Sequence, residues 1–256
     1  MGRNIILGRL FGIEFRVHYS WFIIFVLVTL YLVSPHYNDW FYWLIGILAA
    51  LLLFASVLAH ELAHSLVGRA NGIPVSSITL FVFGGVSLMT REAPRPAAEL
   101  KMAAAGPLCS IVLGAFFGVL LLIPGVPRPV GELLDWLAIS NGGLAIFNLV
   151  PGFPLDGGRI FHSILWRVMR NYRLATKIAV RVGQGIGSVL VLGGILIMFF
   201  LPLGLNWFDG VWIAFIGWFL SSAATGSYRQ MLSQEISLER NPSPSESSSP
   251  PGANQS

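Results

Sequence analysis

Long stretches of apolar residues without charge recur along this chain. Six such stretches occur, each close to or longer than the ~20 residues that an α-helix needs to cross the hydrocarbon core of a bilayer. They cover residues 17–38, 40–59, 102–127, 136–155, 182–208 and 210–228. The pattern predicts an α-helical polytopic membrane protein with six transmembrane helices.

Residues 70–90 are also poor in charge, but their pattern differs from that of the six spans. Pro74 and Gly84 interrupt the segment, and its β-branched residues favour strands. We expect a β-hairpin or small sheet against the membrane core on the cytoplasmic side, to which residues 5–8 and 13–17 could add strands. Such strands must be buried in protein or line a watery cavity, because unpaired backbone is not tolerated in lipid.

Composition and charge support this interpretation and add an orientation. The chain is 55% hydrophobic and 11% charged, whereas soluble domains carry about 25% charged residues; its mean hydropathy is +0.72. Of its 16 basic residues, only Arg128 falls in a connection on the side opposite to the others. Since basic residues concentrate in cytoplasmic connections, both termini are expected in the cytoplasm. The net charge of +4 then reflects topology, and no nucleic-acid partner is expected.

Residues 60–64 carry the candidate chemistry, because they read His-Glu-Leu-Ala-His inside an apolar span. On a helix, His60 and His64 lie one turn apart on one face, close enough to bind a single metal ion. Glu61 lies beside them and can act as a base, which is the arrangement of zinc proteases. Ionisable residues are costly inside a membrane span unless they are paired or ligated. The motif therefore predicts a zinc site within the membrane.

Such a site needs a third protein ligand and an open position for water. Asp156 is the leading candidate, because the prolines and glycines between Pro151 and Gly158 must break the helix there. The break lets a short carboxylate side chain reach towards the metal. His162 and Cys109 are rival ligands, and Asp156 could instead cap the helix that follows it.

Four motifs carry a family resemblance. In chain order they are His60–His64, Phe83-Gly84-Gly85-Val86, Ala105-Gly106-Pro107 and the segment from Asn148 to Arg159. Together they resemble the site-2 protease family of intramembrane zinc metalloproteases, over roughly residues 5 to 230. The short connections are similar to those of the compact six-span subgroup that lacks PDZ and CBS domains.

The resemblance implies one zinc ion per chain, held by His60, His64 and Asp156, with Glu61 as the catalytic base. It also implies that Asn148 assists substrate or oxyanion binding. The implied substrate-binding strand consists of Phe83, Gly84, Gly85 and Val86. The expected activity is hydrolysis of peptide bonds within or near the transmembrane segments of membrane proteins. The expected location is the lipid bilayer of a prokaryotic plasma membrane.

Two other functions fit parts of the pattern. Intramembrane histidines and aspartates also mark ion pathways, so a zinc-binding membrane transporter is the main alternative. A catalytically silent adaptor is the second. A transporter, however, does not need Glu61 next to the metal histidines, and no inverted repeat is evident along the chain.

The expected domain organisation is simple. Residues 1–230 form one six-span intramembrane metalloprotease domain. Residues 231–256 form a cytoplasmic tail, which is expected to be disordered from about residue 241 because it is rich in serine and proline and lacks aromatic residues.

Overall fold

A computed structural model describes residues 4–34, 38–81, 84–89, 93–200 and 206–240. The chain divides into two compact units: Met1–Pro151 with Leu155–Ala175, and Gly152–Pro154 with Thr176–Ser256. In chain order the elements are β1 (Asn4–Leu10), β2 (Ile13–His18), α1 (Ser20–Val33), α2 (Trp40–Ala70), β3 (Val75–Phe81), β4 (Gly84–Met89), α3 (Pro96–Leu120), α4 (Arg128–Asn148), α5 (Asp156–Met169), α6 (Tyr172–Phe200) and α7 (Trp207–Arg240). The tail predicted to be disordered from about residue 241 lies outside the described residues.

Within the described ranges, four helices are long and apolar enough to cross a membrane. They are α2, α3, α6 and the portion Trp207–Gly226 of α7. The α1 helix is apolar but has only 14 residues, and α4 carries Glu132, Asp135 and Asn141 along its 21 residues. The mostly helical fold is confirmed, whereas the count of six spans stays a prediction.

The predicted small sheet is present and has four strands in the order β1-β2-β3-β4. The β1–β2 and β3–β4 pairs are antiparallel, and β2 pairs in parallel with β3. Phe11 and Gly12 form the tight turn between the first two strands with φ values of 52° and 74°, as a two-residue hairpin turn with two left-handed residues requires. The Arg69 guanidinium donates to the Phe11 carbonyl and so ties this turn to the end of α2.

The α2 helix packs against the sheet and against two other helices. Ile13, Phe15 and Ile78 of the sheet form one buried cluster with Leu58 and Leu62 of α2. A second cluster joins α2 to α3 and α4; its buried members are Ala49, Phe117, Leu133, Leu134 and Leu137. The α2 helix therefore contacts the sheet on one side and α3 on another, so residues in its middle section can face either β4 or α3.

The chain leaves helical conformation between α4, which ends at Asn148, and α5, which begins at Asp156. This is the helix break expected from the prolines and glycines in the segment. A Cβ atom at Gly157 would lie 2.5 Å from the Val150 carbonyl oxygen and would also meet the Leu149 carbonyl. Only glycine allows the start of α5 to pack this closely against the end of α4, which determines where Asp156 lies.

The second unit is built on close packing between α6 and α7. A Cβ atom at Gly187 would lie 2.7 Å from the Gly217 carbonyl oxygen. The Gln184 amide also donates to the Thr225 hydroxyl across the same pair of helices, at 3.0 Å. Small residues and interhelical hydrogen bonds of this kind hold helices together where both face lipid.

Candidate metal centre

The two histidines of the HExxH motif lie on one buried face of α2. His60 is 3% exposed and His64 is 6% exposed, and their ring centroids are 4.8 Å apart. The helix is uninterrupted from Trp40 to Ala70, so the four-residue spacing places both imidazoles on the same side. This is the geometry that the motif predicts.

Asp156 joins the two histidines. Its Oδ2 lies 3.1 Å from His60 Nε2 and 3.1 Å from His64 Nε2, and the two Nε2 atoms are 3.1 Å apart. Among the described residues, these three form a group whose possible ligand atoms all lie within 4.8 Å of one another, close enough to hold one metal ion. The alternative in which Asp156 caps α5 is not observed, because Leu155 is the N-cap residue and makes no side-chain capping bond.

The Nδ1 atoms of both histidines are occupied by other partners. His64 Nδ1 lies 2.7 Å from the Met102 carbonyl oxygen, which only accepts, so Nδ1 carries the proton. His60 Nδ1 lies 2.8 Å from the Ser110 hydroxyl. With the proton on Nδ1, a neutral imidazole presents a lone pair at Nε2.

Three potential ligand atoms therefore converge on one point among largely buried side chains. Two imidazole nitrogens and one carboxylate oxygen repel one another unless a cation or proton lies between them. Nitrogen and oxygen donors of this kind are typical zinc ligands, and tetrahedral ligands at 2.0–2.1 Å from zinc are about 3.3 Å apart. The observed 3.1 Å separations fit that donor set.

The rival third ligands do not join this cluster. His162 Nδ1 lies 2.9 and 3.0 Å from the two carboxylate oxygens of Glu99, and His162 is buried. Cys109 is a free, partly exposed thiol on α3. Of the three candidates, the structure brings only Asp156 to the two histidines.

Gly106 on α3 makes room for the cluster. A Cβ atom at this position would lie 2.6 Å from His60 Nε2 and would also meet the His64 ring. The α3 backbone approaches the histidines so closely that the Ala-Gly-Pro motif, which lies opposite the HExxH motif, requires glycine at this position.

Glu61 lies between the histidines and the sheet. The Ser87 hydroxyl of β4 donates to Glu61 Oε2 at 2.9 Å and lies 3.3 Å from the Ser65 hydroxyl. A Cβ atom at Gly85 would lie 2.9 Å from Glu61 Cδ. The β4 backbone thus packs directly on the carboxylate of the predicted base.

The remaining predicted residues are placed less directly. The Asn148 amide donates to the Leu144 carbonyl within its own helix, at 3.0 Å. Gly84, Gly85 and Val86 lie in β4, and Phe83 lies outside the described residues.

Several residues around the site were not predicted from the sequence. Ser110, Met102 and Ser87 hold the two histidines and Glu61, and Glu99 pairs with His162. Serines and a backbone carbonyl have no distinctive motif. Of these residues, only Glu99 is marked in the sequence, as a charged residue two positions before Lys101 at the edge of an apolar span.

Comparisons with known proteins identify the family of the chain. The model of peptidase family M50 matches residues 48–127 and 126–192. The chain is 41% identical over 235 residues to a candidate zinc metalloprotease of Synechocystis, with 90% of this chain and 61% of the relative covered. It is 41% identical over 239 residues to the candidate zinc metalloprotease Rip3 of Mycobacterium tuberculosis, with 90% and 60% covered. The solved structure of the site-2 protease from Methanocaldococcus jannaschii matches with 31% identity and a TM-score of 0.61, covering 88% of this chain and 95% of that chain.

The fold and the site define an integral membrane protein with a buried group of two histidines and an aspartate that could hold a metal ion. The chain belongs to peptidase family M50, the site-2 protease family. The family predicted from the four motifs is confirmed. The chain spans about three fifths of the length of the curated relatives that it matches.

Proposed function

We propose that this chain is an intramembrane zinc metalloprotease that hydrolyses peptide bonds within or near the transmembrane segments of membrane proteins. The observation that carries the proposal is the convergence of His60 Nε2, His64 Nε2 and Asp156 Oδ2 at mutual distances of 3.1 Å, with Glu61 on the adjacent helical position. The names of the relatives, which are metalloproteases rather than transporters, favour this function over the transporter and the silent adaptor.

In this proposal His60, His64 and Asp156 hold one zinc ion per chain. When bound, the ion supplies Lewis-acid chemistry, which polarises a carbonyl group and increases the acidity of water. The protein residues around it have separate tasks. The Met102 carbonyl holds His64 in the tautomer that presents Nε2, and the Ser110 hydroxyl can do the same for His60 by accepting from Nδ1. Gly106 leaves space for both rings.

Glu61 is the proposed general base. Its carboxylate takes a proton from water as the water attacks the scissile carbonyl, and returns the proton to the leaving amine. The Ser87 hydroxyl donates to Oε2, which leaves Oε1 for this exchange. Asn148 is proposed to assist substrate or oxyanion binding through the second N–H of its side-chain amide, since the first donates to the Leu144 carbonyl.

We further propose that the substrate binds as an added strand along β4. This strand lies at one end of the sheet order, and the free edge of a terminal strand pairs readily with an extended peptide. Ser87 and Gly85 of the same strand contact Glu61, so a peptide paired there passes close to the base. Gly84 and Val86 belong to the same proposed binding strand, as does Phe83, whose position is not described.

The proposed topology has six spans with both termini in the cytoplasm of a prokaryotic plasma membrane. The distribution of basic residues supports this orientation. The α1 helix, with 14 residues, rises about 21 Å at 1.5 Å per residue, so it crosses only if neighbouring residues extend it.

The test uses the full chain, purified in detergent for metal analysis and co-expressed with a panel of single-span membrane proteins to detect shortened fragments. We expect one zinc per chain in the wild type. Glu61→Gln should keep the zinc and lose cleavage by roughly 100-fold or more, because a base contributes about that much to the rate. Asp156→Ala should lose both zinc and cleavage. Cleavage at the wild-type rate by Glu61→Gln would contradict the proposed mechanism.

A further inference from the structure

A second buried pair of histidine and carboxylate lies outside the proposed chemistry. His162 on α5 is 1% exposed and Glu99 on α3 is 8% exposed. His162 Nδ1 lies 2.9 Å from Oε2 and 3.0 Å from Oε1 of Glu99. Because a carboxylate accepts, the proton is on Nδ1 and is shared between the two oxygens.

The pair joins α3, whose Met102 carbonyl accepts from His64, to α5, whose Asp156 lies next to His64 Nε2. Glu99 stands three residues before Met102, less than one turn along α3, and the Met102 carbonyl accepts from His64. His162 stands six residues after Asp156, about 9 Å along α5 at 1.5 Å per residue. A shift of α5 along α3 would therefore change the distance between Asp156 Oδ2 and His64 Nε2.

The pair also restricts how α5 can lie. The His162 ring is held edge-on by Tyr172, with centroids 4.9 Å apart and planes at 87°, and lies beside Trp166. The Nδ1–H group then reaches both Glu99 oxygens from one direction. Apolar side chains of similar size would pack over a range of positions, whereas a buried hydrogen bond is made in only one register.

We propose that Glu99 and His162 are positioning residues of the metal centre, and that their hydrogen bond sets where the start of α5, with Asp156, lies against α3. The inference rests on the proposed metal site and adds a remote determinant of its geometry. Partners that orient metal ligands change metal affinity by about 10- to 100-fold when they are lost.

The experiment compares five proteins, each as the full chain in detergent: wild type, Glu99→Leu, His162→Leu, the double leucine variant and Glu99→Gln. Three properties are measured on each. They are the dissociation constants for zinc and cobalt(II) by chelator competition, the visible absorption of the cobalt(II) form, and the thermal unfolding midpoint. Amide exchange at residues 157–160 is followed in the metal-free proteins.

The two single leucine variants should be less stable, because each leaves one buried polar group without its partner. The double variant should recover the unfolding midpoint, since both polar groups are gone. Its metal affinity should nevertheless stay about 10-fold below that of the wild type, with an altered cobalt(II) spectrum and faster exchange at residues 157–160. Glu99→Gln, which still accepts from Nδ1–H, should keep the wild-type spectrum.

A double leucine variant with wild-type affinity, spectrum and amide exchange would show that the pair only stabilises the fold, and would overturn the inference. A wild-type protein that binds no metal would instead refute the proposed function. In that case the exchange comparison on the metal-free proteins still decides the inference, because equal exchange in wild type and double variant contradicts it.

Discussion

The chain contains two buried groups in which histidine meets carboxylate, and they are built in opposite ways. In the pair of Glu99 and His162, a donor faces an acceptor, at 2.9 Å. In the cluster of His60, His64 and Asp156, two ring nitrogens and a carboxylate oxygen face one another, at 3.1 Å. The pair is complete by itself, whereas the cluster requires a cation or a proton.

The difference lies in the acceptor that the Nδ1 proton faces. In His162, Nδ1 points at the carboxylate and the proton is used within the pair. In His64, Nδ1 points at a backbone carbonyl, so Nε2 is left with its lone pair facing Asp156. The same residue types thus form either a hydrogen-bonded pair or a group that could hold a metal ion, according to the acceptor that lies behind the ring. The predictions below disturb the cluster or the neighbouring Glu61 while leaving the pair of Glu99 and His162 in place.

Gly106→Ala should have the largest effect. The added methyl group would lie 2.6 Å from His60 Nε2 and would also meet the His64 ring, so neither ring can keep its position. We expect zinc affinity to fall on the order of 100-fold, measured by chelator competition.

Gly118→Ala is the matched control on the same helix, because a Cβ atom there meets nothing within 4 Å. It should bind zinc like the wild type and be slightly more stable, since alanine favours a helix over glycine by about 1 kcal/mol. Equal zinc affinity in both variants would show that the packing of α3 on the histidines does not matter for the metal.

Gly85→Ala should have an intermediate effect of a different kind. The new methyl group would lie 2.9 Å from Glu61 Cδ, so it should displace the base without touching the ligands. We expect the cleavage rate to fall by up to about 100-fold at unchanged zinc content. Gly142→Ala, whose Cβ atom meets nothing within 4 Å, is the control. Loss of zinc together with activity would contradict a separate position for Glu61.

Ser110→Ala should have the smallest effect. It removes the Nδ1 partner of His60, while His64 keeps its carbonyl acceptor. We expect zinc to bind about 10-fold more weakly, and Ser110→Thr, which keeps the hydroxyl, to restore affinity. An unchanged affinity in Ser110→Ala would mean that His60 binds zinc without an orienting partner at Nδ1.

Much of the fold could be predicted because apolar length and turn residues act locally. The run of apolar residues before His60 predicted a helix there, and the prolines near Asp156 predicted the break that follows α4. The predicted span of residues 136–155 nevertheless continued past Asn148, where α4 ends. The exact starts were harder. The α3 helix begins at Pro96 and thus before the apolar span that starts at Met102, because proline fits the first helical position and an acidic residue such as Glu99 is favoured in the first turn.

The candidate site was predictable to a similar extent. Periodicity alone places His60 and His64 on one face, and the helix break makes Asp156 a candidate. The contact of His162 could not be predicted from the sequence, since its partner Glu99 is 63 residues away in the chain. Asn148 lies near the break as expected, but its amide is bonded within its own helix, and its role stays a prediction.

The sequence by itself determined the chemical inventory of this protein: apolar helices, a helix break, two histidines at the spacing for a metal, and a glutamate between them. Those features depend on residues close together in the chain, where backbone geometry sets the distances. Only the tertiary structure decided which carboxylate meets which histidine and which ring nitrogen keeps its proton. Both depend on the helices α2, α3 and α5 lying in one arrangement, in which Met102 and Ser110 stand behind two imidazoles and Glu99 stands before the third.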